Sequence, residues 1–426
     1  MPYQPVDLVE VRAWGRTVGA LAPGGRGTYA FQYADAWVRG GIELAPSLMP
    51  LRRQPYTFPG LSEETFQGLP PMIADSLPDR FGNAIVNRWL AEQGIAPERI
   101  TALDRLAYLG SRGMGALEYV PDRAPHAPTP TALDLGELIL AARAAITGSF
   151  RDEDASAQTL HRILLVGTSA GGARAKAIVH VDRVTGEVRS GHTEAGGDLE
   201  PWLLKFDGVG PDAELGTGAQ YGRIEYAYSQ MARAAGIEMA ETRLLVEHGR
   251  AHFMTRRFDR GPAGERLHLQ SLCGIDGVDF NLIGVNDYAQ LFVRIDGLGL
   301  GAETRNQAFR RMAFNVAAAN CDDHSKNHAF LYDEAAGWRL SPAFDVTHAH
   351  HPASPWTSRH LMAVNGRFDG ITRADLLQVA DDFQVPGART AIADVTAAIG
   401  SWPEFAAEAE LGADVIDRVA QDFVAI

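Results

Sequence analysis

Asp322 and Asn327 stand five positions apart in Asn320-Cys-Asp-Asp-His-Ser-Lys-Asn327, and Asp345 follows in Pro342-Ala-Phe-Asp345 after a stretch that reads as a short hairpin. These groups suit phosphoryl transfer. One carboxylate orients an attacking hydroxyl and accepts its proton, while an amide oxygen and a second carboxylate hold the magnesium that neutralises phosphate charge. The Asp-x-x-x-x-Asn spacing is that of a kinase catalytic loop. A polar loop with a capping Asp would look similar, since short patterns recur by chance. The assignment therefore depends on what lies upstream.

The upstream sequence supplies the remaining parts in kinase order. Gly167-Thr-Ser-Ala-Gly-Gly-Ala-Arg-Ala-Lys176 leads into the strand-like Ala177–Val181. Consecutive glycines let backbone N–H groups turn toward phosphate oxygens. Ala173 stands where a Walker A loop would need Lys, so this is a different phosphate loop. Glu200-Pro-Trp-Leu-Leu-Lys205-Phe reads as a short strand ending in a phosphate-contacting Lys. Arg223-Ile-Glu225-Tyr then opens a helix, apolar or small at Ile224, Ala227, Tyr228, Met231 and Ala235, that stops at Gly236. Glu225 in its first turn is a candidate partner for Lys205. Taken singly, a strand-end Lys snorkels, a first-turn Glu serves the helix dipole and a Gly run is a turn. Their order is what points to a phosphotransferase.

At these residues the chain resembles the HipA-type serine/threonine kinases, toxins of bacterial toxin–antitoxin pairs. The matching pieces are Ser169–Lys176, Trp202-Leu-Leu-Lys205-Phe, Arg257-Phe-Asp-Arg260, Asn320–Asn327 and Pro342-Ala-Phe-Asp345-Val. Gly15-Arg-Thr-Val-Gly19 and Leu77-Pro-Asp-Arg-Phe-Gly82 resemble the family's N-terminal module. The implied fold is α+β: a protein-kinase-like two-lobed fold with an N-terminal β-rich module and a mainly α-helical C-terminal lobe. The implied reaction is ATP- and magnesium-dependent phosphorylation of serine or threonine in a protein, aminoacyl-tRNA synthetases being the substrate class known in that family. A HipB-like helix-turn-helix antitoxin that binds operator DNA is the implied partner, so nucleic acid is met only through it. Ser169 falls where the family carries an autophosphorylated serine, with Thr168 beside it.

The expected roles follow residue by residue. Asp322 is the base, selected over Asp323 by its spacing to Asn327 and Asp345, and Lys326 is a candidate to stabilise the transferring phosphate. Asn327 and Asp345 are the magnesium ligands. Ser169, Ala170, Gly171, Gly172, Ala173, Arg174, Lys176 and Lys205 are expected around the phosphates. Arg256, Arg257 and Phe258 are expected at the adenine hinge, although Arg256 stands where an acidic residue is common, and His324 and Asp345 border the nucleotide.

Rival chemistries remain at this stage. Residues 322–351 hold Asp322, Asp323, His324, His328, Asp345, His348, His350 and His351, a supply of metal ligands fit for hydrolysis, but no His-Glu-x-x-His pattern is present. A small-molecule kinase shares the same catalytic parts, and a non-catalytic co-repressor subunit is the third alternative.

Composition agrees with an enzyme of two or three domains. A chain of 426 residues exceeds one ordinary core, and a net charge of −14 disfavours direct non-specific binding to nucleic acid or anionic membrane. Cys273 and Cys321, the only two cysteines, are too few for a disulfide framework or zinc site. The N-terminus lacks the basic and apolar regions of a secretory signal and no stretch approaches a membrane span, so a cytoplasmic location is expected. Three stretches are expected: a module of β-hairpins and helices at 1–120, a kinase-like N-lobe at 121–255 and a helical catalytic lobe at 256–426. Val6–Ala13 and Tyr29–Tyr33 alternate as strands separated by Trp14-Gly-Arg and Pro23-Gly-Gly-Arg-Gly turns. A helix follows Asp79 and ends at Gly94, the Pro-rich 121–130 is a linker and 132–145 reads as a helix. Leu244–Val246 and Phe253–Arg257 form a hairpin, and Phe309, Met312, Ala313 and Val316 stripe a helix before the catalytic loop.

Overall fold

The computed structural model describes residues 5–25, 27–78, 80–124, 175–190, 197–207, 220–247, 250–261 and 264–426. The Gly-rich residues Ser169, Ala170, Gly171, Gly172, Ala173 and Arg174, the expected helix 132–145 and most of the linker lie outside them. Contacts gather into two units: 1–210 with 254–270 and 332–334, and 211–253 with 271–331 and 335–426.

In the first unit, alternating apolar residues build a four-stranded sheet of order β3-β2-β1-β4 from β1 (Val9–Ala13), β2 (Arg16–Pro23), β3 (Tyr29–Tyr33) and β4 (Glu118–Val120). Val9, Val11 and Ala13 are fully buried while Glu10 and Arg12 alternate outward, the period of a half-covered strand. The β1–β2 turn needs two left-handed residues in sequence. Trp14 (φ 51°) and Gly15 (φ 71°) supply them, and the strands close with Ala13 opposite Arg16. Helices Arg80–Glu92 and Ala102–Leu109 accompany this sheet. The second starts at a capping box in which Thr101 and Asp104 exchange hydrogen bonds, and Asp104 also accepts the Val6 N–H at 3.2 Å.

A second sheet in this unit aligns β5 (Lys176–Asp182) with β6 (Val188–Ser190) and β7 (Leu199–Lys205), all antiparallel. One face buries Val179 and Val181 with Trp202 and Leu204. Met254–Arg256, the end of β9 (Arg250–Arg256), runs along β7, where Arg257 N–H donates to the Pro201 carbonyl at 3.0 Å.

The second unit is chiefly helical. Helix Tyr221–Ala234 buries Ile224, Ala227, Tyr228 and Met231 at the expected period. It is followed by β8 (Thr242–Glu247), paired with the start of β9. Gly222 allows a close approach: a Cβ there would lie 2.1 Å from the Ala251 carbonyl oxygen. Helix Ala302–Ala317 runs through the core with Phe309, Met312, Ala313 and Val316 buried. Helices Tyr288–Gly297, Arg373–Asp382, Ala388–Gly400 and Trp402–Glu408 contribute to the same core. No helix among the described residues is long and apolar enough to cross a membrane.

Candidate active site

The chain leaves helix Ala302–Ala317 through Ala319 in the left-handed region (φ 52°), and Asn320 bridges to Ala349. The segment Asn320–Asn327 is thus fixed at its entry. It continues through a single turn, Ser325–Asn327, into the hairpin Ala329–Asp333/Gly337–Leu340, which delivers Pro342–Asp345 back beside it. The hairpin anticipated between Asn327 and Pro342 is therefore present. Asp345 itself has φ 53°, a conformation that side-chain-bearing residues seldom adopt and that commonly marks a functional turn.

The adjacent carboxylates take opposite environments. Asp323 is fully buried, and three donors converge on it: Tyr288 Oη at 2.8 Å, His360 Nδ1 at 2.9 Å and Leu361 N at 2.8 Å. The network continues beneath the loop, with Asn315 Nδ2 donating to Tyr288 Oη and Asn320 Nδ2 donating to Asn315 Oδ1, each at 2.9 Å. Such chains of buried bonds rigidify a loop, although the Asn320 Oδ1 at the end of this one is buried without a partner. Burial, with Asp323 next to it, pushes the Tyr288 hydroxyl pKa well up, which keeps it a donor.

Asp322 points the other way, its side chain 41% exposed. One oxygen, Oδ1, accepts from Trp356 Nε1 at 2.6 Å and lies 3.7 Å from His324 Nε2. Its backbone carbonyl accepts from Asn327 Nδ2 at 2.7 Å, so that amide presents its oxygen elsewhere. Crowding by surrounding protein raises the Asp322 pKa above the ordinary carboxylate value. His324 and the Trp356 hydrogen bond oppose that rise, and the Asp345 and Asp323 charges add to it. Asn327 and Asp345 line one small pocket with Asp323, His328 and Arg311.

Two flanking residues pack against aromatic rings. Lys326 places its ammonium 5.1 Å from the centroid of the Phe280 ring, a cation–π contact. The His324 ring lies 5.3 Å from Phe280 and 6.0 Å from Trp356. The histidines anticipated as possible metal ligands are dispersed. Burial lowers the His328 pKa to about 4, so this residue stays neutral at its edge-on contact with Tyr288. His348 and His350 instead lie at 2.8 and 3.1 Å from Asp422. Among the described residues, no three His, Cys, Asp or Glu side chains gather as a metal cluster. Burial pushes the Cys321 thiol pKa up, which disfavours its thiolate.

Of the residues expected around the phosphates, the described ones, Lys176 and Lys205, lie in the first unit. Lys176 opens β5 and Lys205 closes β7, directly opposite each other, and only 2% and 9% of their surfaces are exposed. Opposed residues of this kind hold their Cβ atoms about 5 Å apart, so two ammonium stems enter one buried corner. Glu225 is buried in the second unit, but its helix starts at Tyr221, two residues before Arg223, so Glu225 falls at the start of the second turn and not in the first as expected. At the expected hinge, Arg256 lies 3.5 Å from Glu200, and Phe258 is half-buried. The Arg257 guanidinium is committed elsewhere. It makes bidentate bonds to the fully buried Asp259 at 2.9 and 2.7 Å and a third bond to the Gly113 carbonyl at 3.2 Å. Arg260 Nη1 and the Gly115 N–H also reach Asp259, both at 2.7 Å. Burial alone would raise the Asp259 pKa, but Arg257 and Arg260 outweigh it and hold the carboxyl well below its ordinary range. Arg257-Phe-Asp-Arg260 is thus an internal clasp, and Arg257 offers a nucleotide only its backbone.

Sequence reasoning missed Trp356, Tyr288 and Asn315. The first sits in the Pro- and Ser-rich His351–Ser358, which carries no periodic or spacing signal.

Comparison with known proteins bears on the family and the fold. The HipA N-terminal domain model matches residues 9–120 and the HipA-like C-terminal domain model matches residues 168–403. Two Sinorhizobium fredii relatives carry kinase names. "Putative kinase Y4dM" is 24% identical over 366 residues, covering 80% of this chain and 77% of the relative. "Putative kinase Y4mE" is 23% identical over 432 residues, covering 95% and 86%. Among solved structures, HipA in the Shewanella oneidensis MR-1 complex of HipA, HipB and operator DNA superposes with a TM-score of 0.66 at 17% identity, over 97% of this chain and 94% of that one. The mixed α/β architecture is the HipA fold, and with both family domains matched along its length the chain belongs to the HipA family.

Proposed function

We propose that the protein is an ATP- and magnesium-dependent serine/threonine-protein kinase of the HipA toxin type. The observation that carries this reading is the division of labour at 322–345. Asp323 is spent on holding the loop, whereas Asp322 keeps a solvent-facing carboxylate and its backbone is bonded by Asn327, which lines one pocket with Asp345. The donor set is all oxygen, which fits magnesium better than zinc. When bound, that ion supplies neutralisation of the phosphate charge.

The chain's own residues have these assigned roles. Asp322 accepts the proton of the acceptor hydroxyl, and its raised pKa makes it a better acceptor than an ordinary aspartate. Asn327 and Asp345 hold the cation. Lys176 and Lys205 meet the phosphates together with the backbone of Gly171, Gly172 and Ala173 and the side chain of Arg174. Lys326 stands near the transferring group, and Arg256, the backbone of Arg257 and Phe258 border adenine. Ser169 is the site of self-limiting phosphorylation: a new dianion in a loop that cradles phosphate repels the nucleotide. A HipB-like DNA-binding antitoxin is the proposed partner, supported by the HipB and operator DNA present in the Shewanella complex. The acceptor is proposed to be a protein, with aminoacyl-tRNA synthetases the first class to examine.

Brief induction of the wild-type chain and of Asp322→Asn, followed by phosphoproteomics, tests the reading. New serine or threonine phosphosites confined to the wild type support it. A phosphorylated metabolite with no new protein sites would replace the protein acceptor by a small molecule. Intact mass after incubation with Mg-ATP checks Ser169: a gain of one phosphate mapped there, with loss of ATP binding, is expected.

A further inference from the structure

The two neighbouring carboxylates of the catalytic loop are tied to one segment, residues 351–361, and from opposite ends. Asp323 accepts from His360 Nδ1 and from the Leu361 N–H, which anchors the segment where it leaves the site. Trp356, five residues before Leu361, returns a hydrogen bond to Asp322. Between these points the segment ties itself. Ser354 Oγ accepts the N–H groups of Trp356 at 3.2 Å and Thr357 at 3.3 Å, and the Ser354 carbonyl accepts the Ser358 N–H at 3.0 Å. The His351 N–H donates to the Thr357 carbonyl at 3.2 Å. The indole is therefore aimed by a turn that its own backbone locks. Its ring is also held edge-on, 6.5 Å from Phe280 and 6.0 Å from His324.

At 2.6 Å, the indole N–H bond to Oδ1 is a short charge-assisted contact that removes rotational freedom from the carboxylate. We propose that Trp356 is a positioning residue for phosphotransfer: by fixing Oδ1 of Asp322 it leaves Oδ2 to receive the acceptor hydroxyl, while Asp323 holds the segment that carries Trp356. The proposal rests on the kinase reading above and adds a residue to it. It also gives the second aspartate of the pair a purpose, since Asp323 acts on Asp322 through residues 351–361 rather than on substrate.

The test uses Trp356→Phe in the full chain, which keeps a ring between Phe280 and His324 and deletes only the donor. Phosphate transfer is measured against ATP concentration, together with thermal unfolding. The expected result is a kcat about ten- to a hundredfold lower with KM for ATP and the melting temperature unchanged. A wild-type kcat, or kcat and KM for ATP failing together with a lowered melting temperature, would overturn the positioning role. A second readout does not depend on turnover. In the nitrogen–proton spectrum of the seven tryptophans, the Trp356 indole signal is the one missing from Trp356→Phe, and it should move upfield in Asp322→Ala. If the wild-type chain transfers no phosphate, the kinase reading itself falls. The indole signal separates that failure from this one, because a signal unmoved by Asp322→Ala refutes the hydrogen bond whatever the activity.

Discussion

Replacing Asp322 and Asp323 one at a time by alanine should produce opposite phenotypes, although the residues are neighbours of the same type. Asp323 is fully buried and satisfies three donors: a phenol, an imidazole and a backbone amide. Removing it leaves those donors in a site water reaches poorly. Each stranded donor costs roughly 1–3 kcal/mol, and the losses within one network do not simply add. A total of about 3–5 kcal/mol is expected, a large share of a typical stability of about 5–15 kcal/mol. For a unit of roughly 150–250 residues this corresponds to a fall in Tm of about 6–20 °C. Asp322, with 41% of its side chain exposed, carries no such burden. Its raised pKa shows that the folded environment disfavours its charge, so Asp322→Ala should leave the melting point within a degree or two of wild type, or slightly above it.

Activity should invert the order. Asp322→Ala should lose transfer by several orders of magnitude, whereas Asp323→Ala, assayed well below its melting temperature, should retain a measurable fraction. Thermal unfolding followed by circular dichroism, with single-turnover transfer from radiolabelled ATP on the same preparations, gives both numbers. Equal melting temperatures for Asp323→Ala and wild type would refute the assignment of Asp323 to structure. So would an Asp323→Ala enzyme that stays folded and is as inactive as Asp322→Ala.

Other expectations can be checked with the same material. Lys205→Ala should keep the melting temperature within a few degrees and weaken ATP binding measured by calorimetry; unchanged affinity would remove Lys205 from the phosphate site. Asp259→Ala should destabilise its unit by about 3–5 kcal/mol, because Arg257 and Arg260 become buried and unpaired. The Asp259 carboxyl is held below its unfolded pKa, so the stability it contributes is complete above about pH 4 and drains away as pH falls further. Urea titrations between neutral and acid pH should accordingly show a wild-type loss that the variant lacks. Gly222→Ala should cost about 1–3 kcal/mol, since its Cβ has no room against the Ala251 carbonyl; an unchanged urea midpoint would mean that the helix shifts freely there.

How far the sequence could be read depended on whether a feature was local. Hydrophobic period placed the buried stripe Phe309, Met312, Ala313 and Val316 on one helix, and the Trp14-Gly15 pair marked a tight hairpin because few sequences tolerate two successive positive φ values. The spacing from Asp322 to Asn327 placed a carboxylate and an amide on a single tight turn, where Asn327 indeed bonds the Asp322 backbone. Arg257 shows where this stops. In sequence it belongs to an anticipated adenine hinge, and nothing nearby reveals that, more than a hundred residues earlier, the Gly113 carbonyl accepts from it and the Gly115 N–H donates to its partner Asp259. The same holds for Trp356, 34 residues from the carboxylate it reaches. Long-range pairs leave no periodic trace, since either partner alone looks like an ordinary loop residue.

The ambiguity of two adjacent aspartates was likewise beyond local reading, because spacing ranks them but does not explain why both are present. Their environments do. Successive residues in an extended segment project to opposite sides, so the chain that offers Asp322 to solvent must drive Asp323 inward. A charge driven inward is tolerated only if it is fully paired. Tyr288, His360 and Leu361 provide that pairing, and two of them belong to the stretch whose tryptophan returns to Asp322. An apolar residue at 323 would need no partners, but it would also leave residues 351–361 without their anchor. The inward aspartate is therefore a condition for orienting the outward one, and a hydrophobic replacement such as Asp323→Leu, even if it folds, should release Trp356 and move the indole signal that Asp322 holds in place.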